Sequence, residues 1–186
     1  MPTPARTSIE AIVAAGREAL ATDGLAGLSM QRVASAVGVR APSLYKRVRD
    51  RDELIRLVVE DLLRELGATL ERATGTGDPR RDLRALAYAF RDFAHAQPNA
   101  YGLLFSRLPD GAMPDPRLLV EASGPVLRTA EALAGSDVAL PAARTITAWA
   151  TGFVRMELSG GFQLGGAVDE AFRFGIDRLS DALDRR

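Results

Sequence analysis

Apolar side chains return every third or fourth position along almost the whole chain, and this period constrains the fold more than any other feature. The clearest run is Leu54, Val58, Leu62, Leu66 and Leu70, flanked by Ile55, Val59 and Leu63, a stripe wide enough to touch two neighbours. Strict alternation with β-branched residues is missing. The pattern therefore predicts an all-α chain of about nine helices.

The helix ends are signed by local chemistry. Thr7 and Glu10 have capping-box spacing ahead of the face made by Ile9, Ile12, Val13, Ala19 and Leu20, and Asp23-Gly24 offers a stop. Ser29 is placed to cap a short second helix with Met30, Val33, Ala34 and Val37 on one side. Gly38 closes it, and Pro42 suits the first turn of a third helix carrying Leu44, Tyr45 and Val48. Asp50 and Glu53 repeat the capping signature before the long stripe. Later helices are expected from Pro79 to Pro98, around Tyr101 to Phe105, from about 117 to 134 with a kink at Pro125, and over roughly 138–160 and 168–185.

Composition removes several classes of chemistry. The chain of 186 residues has no cysteine and one histidine, His95, so thiol chemistry, disulfides and histidine-based metal sites lose their ligands; no cofactor is expected. At 47% hydrophobic it can bury a core without cross-links. No apolar run approaches the ~20 residues needed to cross a bilayer, and no signal-length apolar segment opens the chain, so a cytoplasmic protein without a membrane partner is expected. The net charge is zero, but residues 1–50 carry seven basic groups against four acidic ones. A basic head on a mildly acidic body points to a polyanion partner for the head.

The segment "SMQRVASAVGVRAPSLYKRVRDRDEL" spans residues 29–54. Two short helices that cross closely need a small residue at the crossing, a turn residue tolerant of positive φ, and an apolar lock on the second helix. Ala34, Gly38 and Leu44 supply these in order. In a DNA-binding helix-turn-helix the second helix enters the major groove, its N-terminal residues against base edges and neighbouring cations on phosphates. The same three residues also serve any short helical hairpin with a solvated cationic face, and spacing alone does not choose between the two.

The order of one amphipathic helix, "LSMQRVASAVGVRAPSLYKRVRDRDELI" and a long apolar helix resembles the DNA-binding domain of TetR-family transcriptional regulators, over about residues 7–60. The resemblance implies a helix-turn-helix domain at 1–49, and at 50–186 a larger helical domain for ligand binding and dimerisation. The implied protein is a homodimeric bacterial repressor that leaves palindromic operator DNA when a small effector binds. Carried over by position, Ser29 matches a phosphate-contacting hydroxyl cap and Tyr45 a phosphate-binding tyrosine. Arg47 stands where histidine is usual and Arg51 where a lysine usually opens the fourth helix; Val48 replaces a phenylalanine. Arg40 departs further, since a serine or threonine cap is common there. Arg40, Ala41, Pro42, Ser43 and Lys46 are the side chains expected nearest the bases. Of these only Arg40 and Lys46 can reach guanine O6 and N7, a pairing worth roughly 1–3 kcal/mol of discrimination.

For the C-terminal part, "AWATGFVRMELSGGF" at 148–162 is similar to a type marked by tryptophan and a histidine-glycine pair; Trp149 and Gly152 match and Thr151 replaces the histidine. The family pairs its last two helices with their copies in a four-helix bundle, which implies a dimer face from Trp149, Phe153, Phe172, Ile176, Leu179 and Leu183. An intrachain core would use the same residues. A dimer is also required geometrically, because one short recognition helix reads few bases and two-fold partners occupy half-sites about 34–36 Å apart. Phe90, Phe93, Tyr101, Leu104, Phe105 and Met113 are the candidates for an apolar effector pocket, with plain core as the alternative.

Two other classes compete with this reading. A helical enzyme would need a catalytic constellation, but "GTG" at Gly75–Gly77 has neither the rest of a dinucleotide fingerprint nor a preceding strand, and "ELSGG" is no nucleophile elbow. The chain is therefore not expected to be an enzyme. A helix-turn-helix protein whose C-terminal part only dimerises remains as the second alternative.

Overall fold

The computed structural model describes residues 8–184. Among them are nine α-helices, two single 3-10 turns and no strand: α1 (Ile9–Gly27), α2 (Met30–Ala36), α3 (Ala41–Leu44), α4 (Arg51–Arg72), α5 (Pro79–Ala96), α6 (Pro98–Leu104), α7 (Pro116–Ala134), α8 (Ala139–Leu158) and α9 (Val168–Leu183). No helix among these residues is long and apolar enough to cross a membrane. The chain forms two compact units. The first takes the residues up to Arg64 and Gln97–Leu119, and the second Glu65–Ala96 and the residues from Val120 on. The expected domain boundary at 49/50 marks the start of α4, whereas the compact units divide within that helix.

Thr7 lies outside the described residues; in the structure Ser8 is the cap, its hydroxyl accepting from the Ala11 amide at 3.2 Å. Asp23 and Gly24 break the helical path of α1 with φ of −126° and +62°, so the anticipated stop appears as a kink followed by one last turn. Ser29 caps α2 by accepting from the Arg32 amide at 3.3 Å. Gly38, at φ +75°, lets the chain reverse while its own amide donates to Ser35 and the Val39 amide donates to Ala34, so two terminal carbonyls of α2 are satisfied by the turn itself.

The third helix is shorter than expected. Only Ala41–Leu44 is α-helical, and Tyr45–Arg47 follow in turns. No side chain caps Arg40, so the helix starts without that support, while Pro42 sits in the first turn, where its missing amide costs nothing. Tertiary burial holds the segment instead. Leu44 and Val48 are wholly buried and join Ile12, Met30, Val33, Ala34 and Leu54 in one apolar cluster. Asp50 starts α4 through its carboxylate, which accepts from the Glu53 amide at 2.9 Å, and Glu53 reaches back to the Arg49 amide at 2.7 Å. In the same unit α6 lies against α1.

In the second unit α9 packs on α5 and α8. Its centre is aromatic: Phe172 has ring centroids of Trp149, Phe153 and Tyr88 at 5.2, 5.0 and 5.3 Å.

Candidate nucleic-acid interface

The turn after α2 and the segment around α3 expose one coherent set of side chains. Arg40, Pro42, Ser43, Tyr45, Lys46 and Arg47 are all exposed, Ala41 is half-buried, and Leu44 and Val48 face inward. The alternation follows from the short helix. With positions 44 and 48 anchored, the flanking residues have only the outer side left. Tyr45 is 53% exposed and is therefore no core residue. Ser29, half-buried at the start of α2, accepts the Arg32 amide and retains its O–H as a donor.

The two other cations of the segment are engaged within the chain. Arg49 donates from Nε to Asp50 at 2.9 Å, and that contact, with the Glu53 amide, holds the Asp50 carboxyl below its usual range. Arg51 donates from Nε to the Leu28 carbonyl at 2.7 Å and from Nη2 to the Leu25 carbonyl at 2.8 Å. Nothing in the spacing announced this second arrangement, because the partners lie 23 and 26 residues away.

The residues expected to line an effector pocket divide between the units. Phe90 and Phe93 on α5 are buried in the second. Tyr101 is buried and Leu104 half-buried on α6 of the first, while Phe105 and Met113 are 39% and 51% exposed. The second unit has a cleft of about 500 Å³ between α5 and α9, but Arg80, Arg84, Asp177, Ser180 and Asp181 are among its lining, and none of the six residues is. That cleft is lined mainly by charged side chains.

The expected dimer set also divides. Phe172 and Ile176 are buried in the interior of their own unit, which removes them from any open face. Trp149, Phe153, Leu179 and Leu183 are half-buried. The open stripes are different ones: Ala148, Gly152 and Met156 on α8, and Ala171, Phe174, Arg178 and Ala182 on α9, with Phe174 67% exposed.

One constellation was not anticipated. Arg91 pairs with Glu157 through two bonds, at 2.9 and 2.6 Å, donates to Asp169 at 2.7 Å, and stacks 4.7 Å above the Phe172 ring. His95 adds a contact from Nε2 to Glu157 at 3.0 Å. The bond from Arg91 is the main cause that holds Glu157 below the usual carboxylate range, and Glu157 in turn raises Arg91.

Comparison with known proteins extends along both parts. Residues 12–58 match the family model described as bacterial regulatory proteins of the tetR family, and residues 83–179 match the tetracyclin repressor-like C-terminal domain. The HTH-type transcriptional regulator Rv1816 of Mycobacterium tuberculosis is 37% identical over 105 residues, which covers 54% of this chain and 45% of that protein. The chain thus spans about half the length of that curated relative. Among solved structures, a protein with unknown function from Rhodococcus sp. RHA1 aligns over 99% of this chain and 98% of its own, with a TM-score of 0.81 and 22% identity. BioQ with its natural double-stranded DNA operator aligns over 96% and 99%, at a TM-score of 0.68 and 26% identity.

Proposed function

The chain belongs to the TetR family of bacterial regulatory proteins, and from that premise we propose that it is a homodimeric repressor, released from a palindromic operator by a small effector. Residues 1–49 read DNA and residues 50–186 hold partner and effector. The observation that carries the reading is the exposed set Arg40, Pro42, Ser43, Tyr45, Lys46 and Arg47, standing on the buried anchors Leu44 and Val48. Cations and hydroxyls there have the chemistry phosphates and guanine edges require. Tyr45, Arg47 and Ser29 contact phosphates; Arg40, Ala41, Pro42, Ser43 and Lys46 lie nearest the bases. The Arg51 guanidinium already serves two carbonyls of its own chain.

Self-association uses α8 and α9. Their exposed Ala148, Gly152 and Ala171 allow close approach of a second copy, and Phe174 supplies the apolar anchor. Trp149, Phe153, Leu179 and Leu183 border this face from the half-buried side. An effector that touches Tyr101 or Leu104 on α6 has a short route to the DNA-binding helices, since Asn99 donates to the Ala21 carbonyl at 2.9 Å. A coupling of ~1–3 kcal/mol would change operator affinity about 5- to 150-fold.

The deciding experiment is a salt-titrated selection of the purified protein against random duplex DNA. Enrichment of a palindrome bound by one or two dimers supports the repressor reading. Salt-sensitive binding without enrichment reduces it to a nonspecific basic head, and no binding overturns it.

A further inference from the structure

The last turn of α1 is set off by the break at Asp23 and Gly24, and only Leu28 and Ser29 separate it from α2; the Leu28 amide donates to the Leu25 carbonyl at 3.3 Å, which leaves that oxygen a second lone pair to offer. Three elements supply side chains to this end. Arg32 of α2 pairs with Asp23. Asn99 of α6 donates to the Ala21 carbonyl. Arg51, in the first turn of α4, donates to the carbonyls of both Leu25 and Leu28. A cation at the negative pole of a helix is favourably placed, and a planar guanidinium can hold two carbonyls in fixed relative orientation, which an ammonium point charge does less rigidly.

We infer that Arg51 is a positioning residue for DNA recognition: it clasps the end of α1 to the start of α4, so that α2 and its Ser29 cap turn with α4. The inference rests on the function proposed above. The segment around α3 is joined to α4 directly through Val48–Asp50, so it follows α4 by covalent connection. The α2 segment meets α4 through the apolar cluster that holds Met30, Val33, Ala34 and Leu54, and its N-terminal end is fixed beside it at Leu28, wholly buried and one residue before the cap, where Arg51 holds the backbone. With the clasp, both halves of the helix-turn-helix move as one body when α4 moves; without it, the end of α1 and the cap of α2 can lag behind. A residue with this role sets the geometry of recognition and does not add a phosphate contact.

The test uses the full-length protein and the operator recovered by selection from random duplexes. Wild type, Arg51→Ala and Arg51→Lys are titrated at several salt concentrations, on that operator and on versions with one base pair added or removed between half-sites. The expected result for Arg51→Ala is a loss of operator affinity of roughly 5- to 10-fold, an unchanged slope of log affinity against log salt, and weaker discrimination between the native and altered spacings. Arg51→Lys should fall between wild type and Arg51→Ala. A slope flattened by about one unit with spacing discrimination intact would make Arg51 an ordinary phosphate contact and overturn the inference. Unchanged affinity and spacing preference would overturn it equally. If selection yields no operator, it is the repressor reading that fails. The clasp is then read by amide hydrogen exchange: faster exchange at Arg32 and Val33 in the variants, with Leu83 unaffected, supports it, and unchanged exchange rejects it.

Discussion

The Trp149 indole occupies the space that a side chain at position 175 would need: a Cβ built on Gly175 overlaps Cζ2 and lies 2.9 Å from Cε2. The glycine is what lets α9 approach α8 closely enough for Phe172 to stack on Trp149 at 5.2 Å. Gly175→Ala should therefore destabilise the protein by about 1–3 kcal/mol, the usual result of overfilling a packed site. Gly152→Ala, with nothing within 4 Å of the new methyl, should leave the chain's own stability nearly unchanged. Urea unfolding of the two variants, at a protein concentration where the assembly state is known, separates them; equal midpoints would show that the indole moves aside.

Leu44 is wholly buried and locks the short recognition segment onto α1, α2 and α4. Leu44→Ala should cost about 2–5 kcal/mol of stability. DNA affinity should fall along with it, because the four-residue α3 has no side-chain cap to hold it otherwise. Calorimetry and operator titration on one preparation check both effects, and a stable variant that no longer binds DNA would show that burial shapes the segment without stabilising the unit.

Exposed cations without an internal partner should behave as phosphate or base contacts by position. Arg47→Ala is expected to weaken binding to all sequences and to flatten the salt slope by roughly one unit. Lys46→Ala or Arg40→Ala should instead relax preference at particular base pairs, by about 1–3 kcal/mol each. Salt titrations combined with selection on randomised operators make the distinction, and a uniform loss for Lys46 or Arg40 would remove them from the base-reading set.

The half-buried Glu157 carboxyl, held below its ordinary range chiefly by the bond from Arg91, links stability to pH. Its folded-state pKa is depressed, so its contribution is fully present above the unfolded value of about 4.3 and is lost as pH falls through the lower folded value. Glu157→Gln should lower stability at pH 7 and flatten the decline below about pH 4.3 relative to wild type. Urea midpoints between pH 7 and 3 test this, and parallel curves for the two proteins would exclude the linkage.

Much of the fold was legible because helical periods and caps are local. Ser29 before Met30, Asp50 with Glu53, and Gly38 in its left-handed turn all depend on residues within a few positions, and each appears where spacing put it. The exposed cations around α3 were legible for the same reason: once Leu44 and Val48 are inside, their neighbours must be outside. The sequence by itself thus determined the helices, their order and the outward chemistry of the helix-turn-helix. Only the tertiary structure decided which apolar stripe closes on its own chain and which stays open. Periodicity defines a face without naming what covers it, and so Phe172, expected on a dimer face, is buried in its own unit, while Phe174 on the same helix is exposed. Long-range pairing was equally hidden. The guanidinium of Arg51 on the Leu25 and Leu28 carbonyls, and that of Arg91 on Glu157 and Asp169, join groups from 23 to 78 residues apart, and such contacts exist only once packing has brought the helices together.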